Sequence, residues 1–91
     1  MNGQRFERAE GAAAGLVDGQ TVVVSPLDLR YHALNPTGTA LWDLLAGGTT
    51  LDQAVERLLA DFEVDEATCR RDVEACLAQF VSIGIAVAVD G

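Results

Sequence analysis

Three residues of this 91-residue chain carry groups suited to act as nucleophile, base or soft metal ligand: Cys69, Cys76 and His32. A thiol paired with an imidazole is the least that nucleophilic catalysis asks for, because the thiolate is the reactive species and a base must take its proton. Here the two cysteines lie seven residues apart on the apolar stripe of a helical pattern, and the single histidine sits in a strand-like stretch with no orienting partner. On one helix the cysteine Cα atoms stand about 10 Å apart along the axis, beyond the roughly 7 Å that a disulfide spans, so they read as reduced packing residues. Zinc needs about four ligands at recognised spacings, which two cysteines and one histidine do not provide. The glycines between Gly11 and Gly19 and at Gly47-Gly48 lack the P-loop and dinucleotide patterns. The chain reads as non-catalytic, with no cofactor and no metal site.

The acids Asp72 and Glu74 stand beside Arg70 and Arg71. Pairs such as Arg70 with Glu74 are ordinary (i, i+4) contacts on a solvated helix face, worth a few tenths of a kcal/mol. Asp72 also precedes Val73 on the inward stripe, which would put it on the rim of a groove, facing a donor on a bound peptide. Both readings stand on the residues alone.

The elements that must carry these groups fall in a clear order. Residues 1–11 are polar and aperiodic and read as a loose, flexible N-terminal arm; residues 12–91 read as one domain. Ala12–Val17 and Gln20–Val24 form two strands joined by Asp18-Gly19, a two-residue turn whose positions both want φ > 0. Ser25-Pro26-Leu27-Asp28 makes a second turn with Pro26 where φ near −65° is needed, and the stretch Leu29–Leu34 returns as a third strand. Nothing blunts that strand: it has no proline, lysine or bulge. It is open to a partner unless the N-terminal arm covers it.

Asn35 caps the next helix and Pro36 suits its first turn. That helix runs to about Ala46 with Leu41, Leu44 and Leu45 on one stripe and Trp42 offset from it, either packed under the sheet or partly exposed. Thr50-Leu51-Asp52-Gln53 is a capping box for a second helix, and Asp65 caps a third, with Val64 and Cys69 spaced as a hydrophobic staple. The third helix turns Cys69, Val73, Cys76, Leu77 and Phe80 inward and ends at Gly84; Ile85–Val89 adds a short strand or packs down. The expected fold is α+β and winged-helix-like: a three-stranded antiparallel sheet packed on three helices, β-β-β-α-α-α.

Composition limits the function. Hydrophobic residues make up 49% of the chain and aromatics 5%, so the core must be aliphatic. No run of about 18 apolar residues exists to span a bilayer, and Met1–Arg8 lacks the apolar centre of a signal peptide, which makes the cytoplasm the default location. Residues 1–34 carry three arginines against four acids, net −1; residues 35–91 carry three against ten, net −7, and there is no lysine. A field of that sign repels phosphate and anionic lipid. A winged-helix regulator that binds DNA is therefore the weaker alternative, because its recognition helix would be net negative. A dimerisation module pairing two Leu29–Leu34 edges across a two-fold is another.

The stretch Tyr31-His32-Ala33-Leu34-Asn35-Pro36-Thr37-Gly38-Thr39-Ala40-Leu41-Trp42 resembles the Leu-Asn-Pro-Thr-Gly signature of the PqqD-like family, and Asp72-Val73 followed by Leu77 resembles a later part of its pattern. The resemblance covers roughly residues 15–87. This family supplies the precursor-peptide recognition elements of ribosomally made, post-translationally modified peptides. Arg30 to Asn35 and the stand-alone size are most similar to the discrete leader-binding proteins of lasso-peptide pathways. Two departures stand out: Leu29, where many relatives have glycine, which bears on the second hairpin turn, and Ala46, where many have an acid.

The resemblance implies that a leader peptide adds as a fourth strand beside Leu29, Arg30, Tyr31, His32, Ala33 and Leu34, by β-augmentation. Its inward side chains would meet Val73, Cys76, Leu77 and Phe80, with Cys69 on the same stripe, while Arg30, His32 and Asp72 make polar contacts at the rim. Val73, Leu77 and Phe80 also suit an ordinary core. The complex would be handed to a separate maturation enzyme, a leader-cleaving cysteine protease in a lasso pathway.

Overall fold

In a computed structural model of the chain, which describes residues 4–89, the elements are β1 (Arg5–Arg8), β2 (Ala13–Val17), β3 (Gln20–Val24), β4 (Tyr31–Ala33), α1 (Pro36–Leu45), β5 (Thr49–Thr50), α2 (Leu51–Asp61), α3 (Glu66–Ser82) and β6 (Ala86–Val89). They form two three-stranded antiparallel sheets, ordered β2-β3-β4 and β5-β1-β6, around the three helices. The architecture is α+β, with the expected meander and three helices in the expected order.

Local chemistry explains most boundaries. Asp18 and Gly19 take φ of 53° and 80°, the mirror-image turn that joins β2 to β3. The Asn35 side chain accepts from the Gly38 N–H at 2.7 Å and caps α1. Thr50 and Gln53 close a reciprocal box at the start of α2. Asp65 caps α3 by accepting from Thr68 N–H at 2.7 Å, and that bond holds its carboxyl below the usual range. At the other end of α3, Ile85 N–H donates to Phe80 C=O and Gly84 N–H to Val81 C=O. With Gly84 at φ +85°, this pairing is a Schellman stop.

The structure corrects two expectations. Residues 4–11 are not a loose arm: β1 lies between β5 and β6, Arg5 opposite both Thr50 and Val89, with Phe6 packed on the core. Residues 1–3 lie outside the described residues. Arg8 lies 4.2 Å over the ring of the buried Trp42 and donates twice to its backbone carbonyl, which ties this segment to α1. The third strand is also shorter than Leu29–Leu34. Leu29 and Arg30 belong to the turn, where Leu29 N–H donates to Ser25 C=O and Arg30 N–H to the Asp28 carboxylate.

Leu29 has φ +59° and is 76% exposed, a left-handed backbone that costs a side-chain-bearing residue about 1–2 kcal/mol. Leu29→Gly is expected to relieve that strain against glycine's larger entropy loss, for a net gain of about 0.5–1 kcal/mol. A higher urea midpoint with an unchanged m-value would show it.

The core is mainly aliphatic: Val23, Leu41, Leu45, Val55, Leu58, Val73, Leu77 and Ile85 are buried, together with the aromatic rings of Trp42 and Phe80. Among the described residues no helix is long and apolar enough to cross a membrane.

Candidate peptide-binding site

β4 is the outer strand of its sheet. Among the described residues it pairs with β3 alone, Tyr31 opposite Val24, His32 opposite Val23 and Ala33 opposite Val22. Flanking bonds run from Leu34 N–H to Thr21 C=O and from Ser25 N–H to Arg30 C=O. Antiparallel pairs alternate between bonded and non-bonded, so His32 and Leu34 point their N–H groups at β3, and Arg30 its C=O. Tyr31 and Ala33 therefore turn their N–H and C=O groups to the open side. Their side chains lie on the solvent face, and His32 lies on the inner face with Val23.

Along that open side, β4 and α3 enclose a cleft of about 310 Å³, lined by Tyr31, His32, Ala33, Leu34, Asn35, Gly38, Cys76, Gln79, Phe80 and Ile83. Ser25 sets its width. Its buried hydroxyl donates to Ile83 C=O at 2.6 Å and accepts from Leu27 N–H, which fastens the turn before β4 to the end of α3. At the other end of β4, Gly38 packs closely: a Cβ there would lie 3.6 Å from the Phe80 ring, an ordinary contact, and a tight 3.2 Å from the capping oxygen of Asn35.

The cleft holds both His32 and Cys76, but not as a catalytic pair. Burial pushes the Cys76 thiol up to about 11, so little thiolate exists near neutral pH. Cys69 is also buried, its thiol raised by desolvation, and its Sγ lies 3.8 Å from Val55 C=O. The buried Nε2 of His32 has no hydrogen-bond partner among the described residues and stands 3.7 Å from the Asp28 carboxylate. The Arg30 N–H, with His32 adding to it, holds the Asp28 carboxyl below the usual range.

Two turns further toward the start of α3, a second cavity of about 240 Å³ is lined by Thr37, Leu58, Phe62, Glu63, Val64, Cys69, Asp72 and Val73. The candidate residues thus separate. Tyr31, His32, Ala33, Leu34, Cys76 and Phe80 meet at the β4 cleft, and Cys69, Asp72 and Val73 line the second cavity. Leu29 and Arg30 sit in the turn and line neither. Leu77 faces the other side of α3, in a groove of about 520 Å³ that runs beneath the β5-β1-β6 sheet past Phe6, Leu51 and Ala88. β6, an outer strand of that sheet, borders this groove through Ala88, whereas β4 borders the cleft. Asn35, Gly38, Gln79 and Ile83 are lining residues that the sequence reading did not single out; continuing the helical period from Cys76 leads to Gln79 and Ile83.

The family of coenzyme PQQ synthesis protein D (PqqD) matches residues 20–86, which takes in β3, β4, all three helices and the start of β6. The chain belongs to the PqqD family. The match contains both β4 and the α3 face opposite it, so the open edge and its cleft lie within the family's shared part of this PqqD-family domain. The same fold occurs in TbiB1, solved in complex with the TbiA(beta) leader peptide, with a TM-score of 0.74 and 22% identity over 84% of this chain and 88% of that one. It also occurs in a lasso peptide synthetase B1 complexed with the leader peptide, with a TM-score of 0.76 and 22% identity over 90% of this chain and 96% of that one. A search of curated proteins finds no match.

Proposed function

We propose that this PqqD-family domain binds the leader segment of a ribosomally made precursor peptide, without catalysing a reaction on it, and passes the bound peptide to a separate maturation enzyme. One observation carries the reading: the unpaired N–H and C=O groups of Tyr31 and Ala33 look onto a cleft whose far wall is α3. An extended segment laid there gains main-chain hydrogen bonds from β4 and buries alternate side chains against Cys76, Phe80 and Ile83. The leader peptides held by the two solved proteins of like fold support it, and the lasso peptide synthetase among them supports a lasso pathway; in this reading the receiving enzyme is a leader peptidase and the compartment the cytoplasm. The candidate residues that serve are Tyr31, His32, Ala33, Leu34, Cys76 and Phe80 at the cleft, with Cys69, Asp72 and Val73 beyond it.

Ordering a disordered leader costs free energy on binding, and a protein that must release its cargo is served by a Kd from micromolar to tens of nanomolar, about −8 to −10 kcal/mol. Calorimetric titration with the synthetic leader of the precursor encoded beside this chain's gene should give saturable one-to-one binding in that range. No heat and no shift in anisotropy at 100 μM protein would overturn the reading. Sedimentation of the free chain distinguishes pairing of two β4 edges, which would compete with the leader.

A further inference from the structure

The cavity at the start of α3 differs chemically from the β4 cleft. Its floor is apolar, made by Leu58, Phe62, Val64, Cys69 and Val73, and two exposed carboxylates, Glu63 and Asp72, stand at its rim. Neither forms an ion pair among the described residues, and no arginine lines the cavity. Of the neighbouring arginines, Arg57 pairs with Asp61 and Arg70 bridges Asp52 and Glu66, while Arg71, next to Asp72 in sequence, is not part of the lining. The β4 cleft, by contrast, has no charged residue in its lining. At about 240 Å³ the cavity is smaller than the roughly 300–1,000 Å³ of small-molecule sites and suits one side chain.

We propose that this cavity is a second specificity pocket for the leader, and that its occupant is a lysine or arginine. Such a side chain lays an aliphatic stem along apolar surface and keeps its charge at the rim, which is the arrangement offered by Phe62, Val64 and Val73 below and Glu63 and Asp72 above. The inference rests on the leader-binding reading and adds a sequence requirement to it. The leader residue opposite His32 faces inward and fills the β4 cleft. From Gln79 and Phe80 to Asp72 and Val73 is seven residues of helix, about 10 Å, which an extended peptide covers in three to four residues. Thr37, just past the end of β4, lines the cavity, so the leader reaches it by running on beyond the strand toward the start of α1. The basic residue therefore lies three or four positions from the one opposite His32.

The test is a double-mutant cycle by anisotropy with the synthetic leader of the neighbouring precursor, at 50 mM and 300 mM salt. The protein variants are Glu63→Gln with Asp72→Asn, and the peptide variant replaces the basic residue by methionine. The expected result is about three- to fivefold weaker binding for either change alone, no further loss when both are combined, and a loss that shrinks at high salt. Glu10→Gln with Asp18→Asn removes equal charge from the other half of the chain and should leave affinity within twofold. Equal binding by the Glu63/Asp72 variant, an equal loss in the Glu10/Asp18 control, or a leader lacking a base at that spacing overturns the pocket but not leader binding. Failure of the wild-type chain to bind the leader overturns both.

Discussion

Replacing Ala33 by proline is expected to weaken leader binding by roughly 10- to 100-fold while leaving the fold intact. The Ala33 amide points away from β3, so proline removes no bond of the β3–β4 ladder, and an outward amide on an edge strand is where proline is tolerated. His32, which precedes it, is already extended, as a residue before proline must be. Binding is a different matter. One of the two outward N–H donors is lost, its acceptor on the peptide is left buried without a partner at a cost of about 1–3 kcal/mol, and the ring occupies the space of the incoming strand. Ala33→Ser keeps the amide and should bind as the wild type does. Calorimetry on the three proteins, with circular dichroism as the check on folding, decides it: wild-type affinity in the proline variant would show that the peptide does not pair with β4.

The second large effect concerns Gly84. A Cβ there would lie 2.8 Å from the Leu27 Cβ and 2.9 Å from the Ser25 hydroxyl, at φ +85°, so alanine meets both a left-handed backbone and two neighbours too close to accept it. Gly84→Ala is expected to destabilise by about 2–4 kcal/mol, a fall in Tm on the order of 10–20 °C for a domain of this size. Because Ser25 and Leu27 belong to the turn that leads into β4, relief of the clash pushes that turn from α3 and widens the cleft, so affinity should fall as well. Gly47→Ala is the matched control, since a Cβ at Gly47 would meet nothing within 4 Å. Equal melting temperatures for the two variants would refute the account.

Where the sequence was readable, a bond spanned two to four residues. Asp18-Gly19, Asn35 with Gly38, Thr50 with Gln53, and Asp65 with Thr68 each fix a turn or helix start from adjacent chemistry, so those boundaries were legible, and so was the open strand after Pro26. The N-terminal strand was not, because its partners lie more than 40 and 80 residues away at Thr50 and Val89 and the alternation in Arg5–Arg8 is blurred by two arginines that turn to Gly47 and Trp42. Leu29 looked like strand because leucine gives no hint of a left-handed backbone. The inward stripe of α3 was legible as a stripe, but a helix between two sheets has two apolar sides. Period alone could not assign Leu77 to the β1 side and Cys76 to the β4 side. Gly84 was readable as a stop, whereas its contact with Leu27 depends on tertiary packing.

The pairing of Arg5 with Val89 puts the entry and exit of the described chain side by side, in a different sheet from β4. The domain can therefore be spliced as a cassette into a loop of a larger protein, or its two ends sewn together and new ones cut at the Asp18-Gly19 turn, with its capture edge left facing outward.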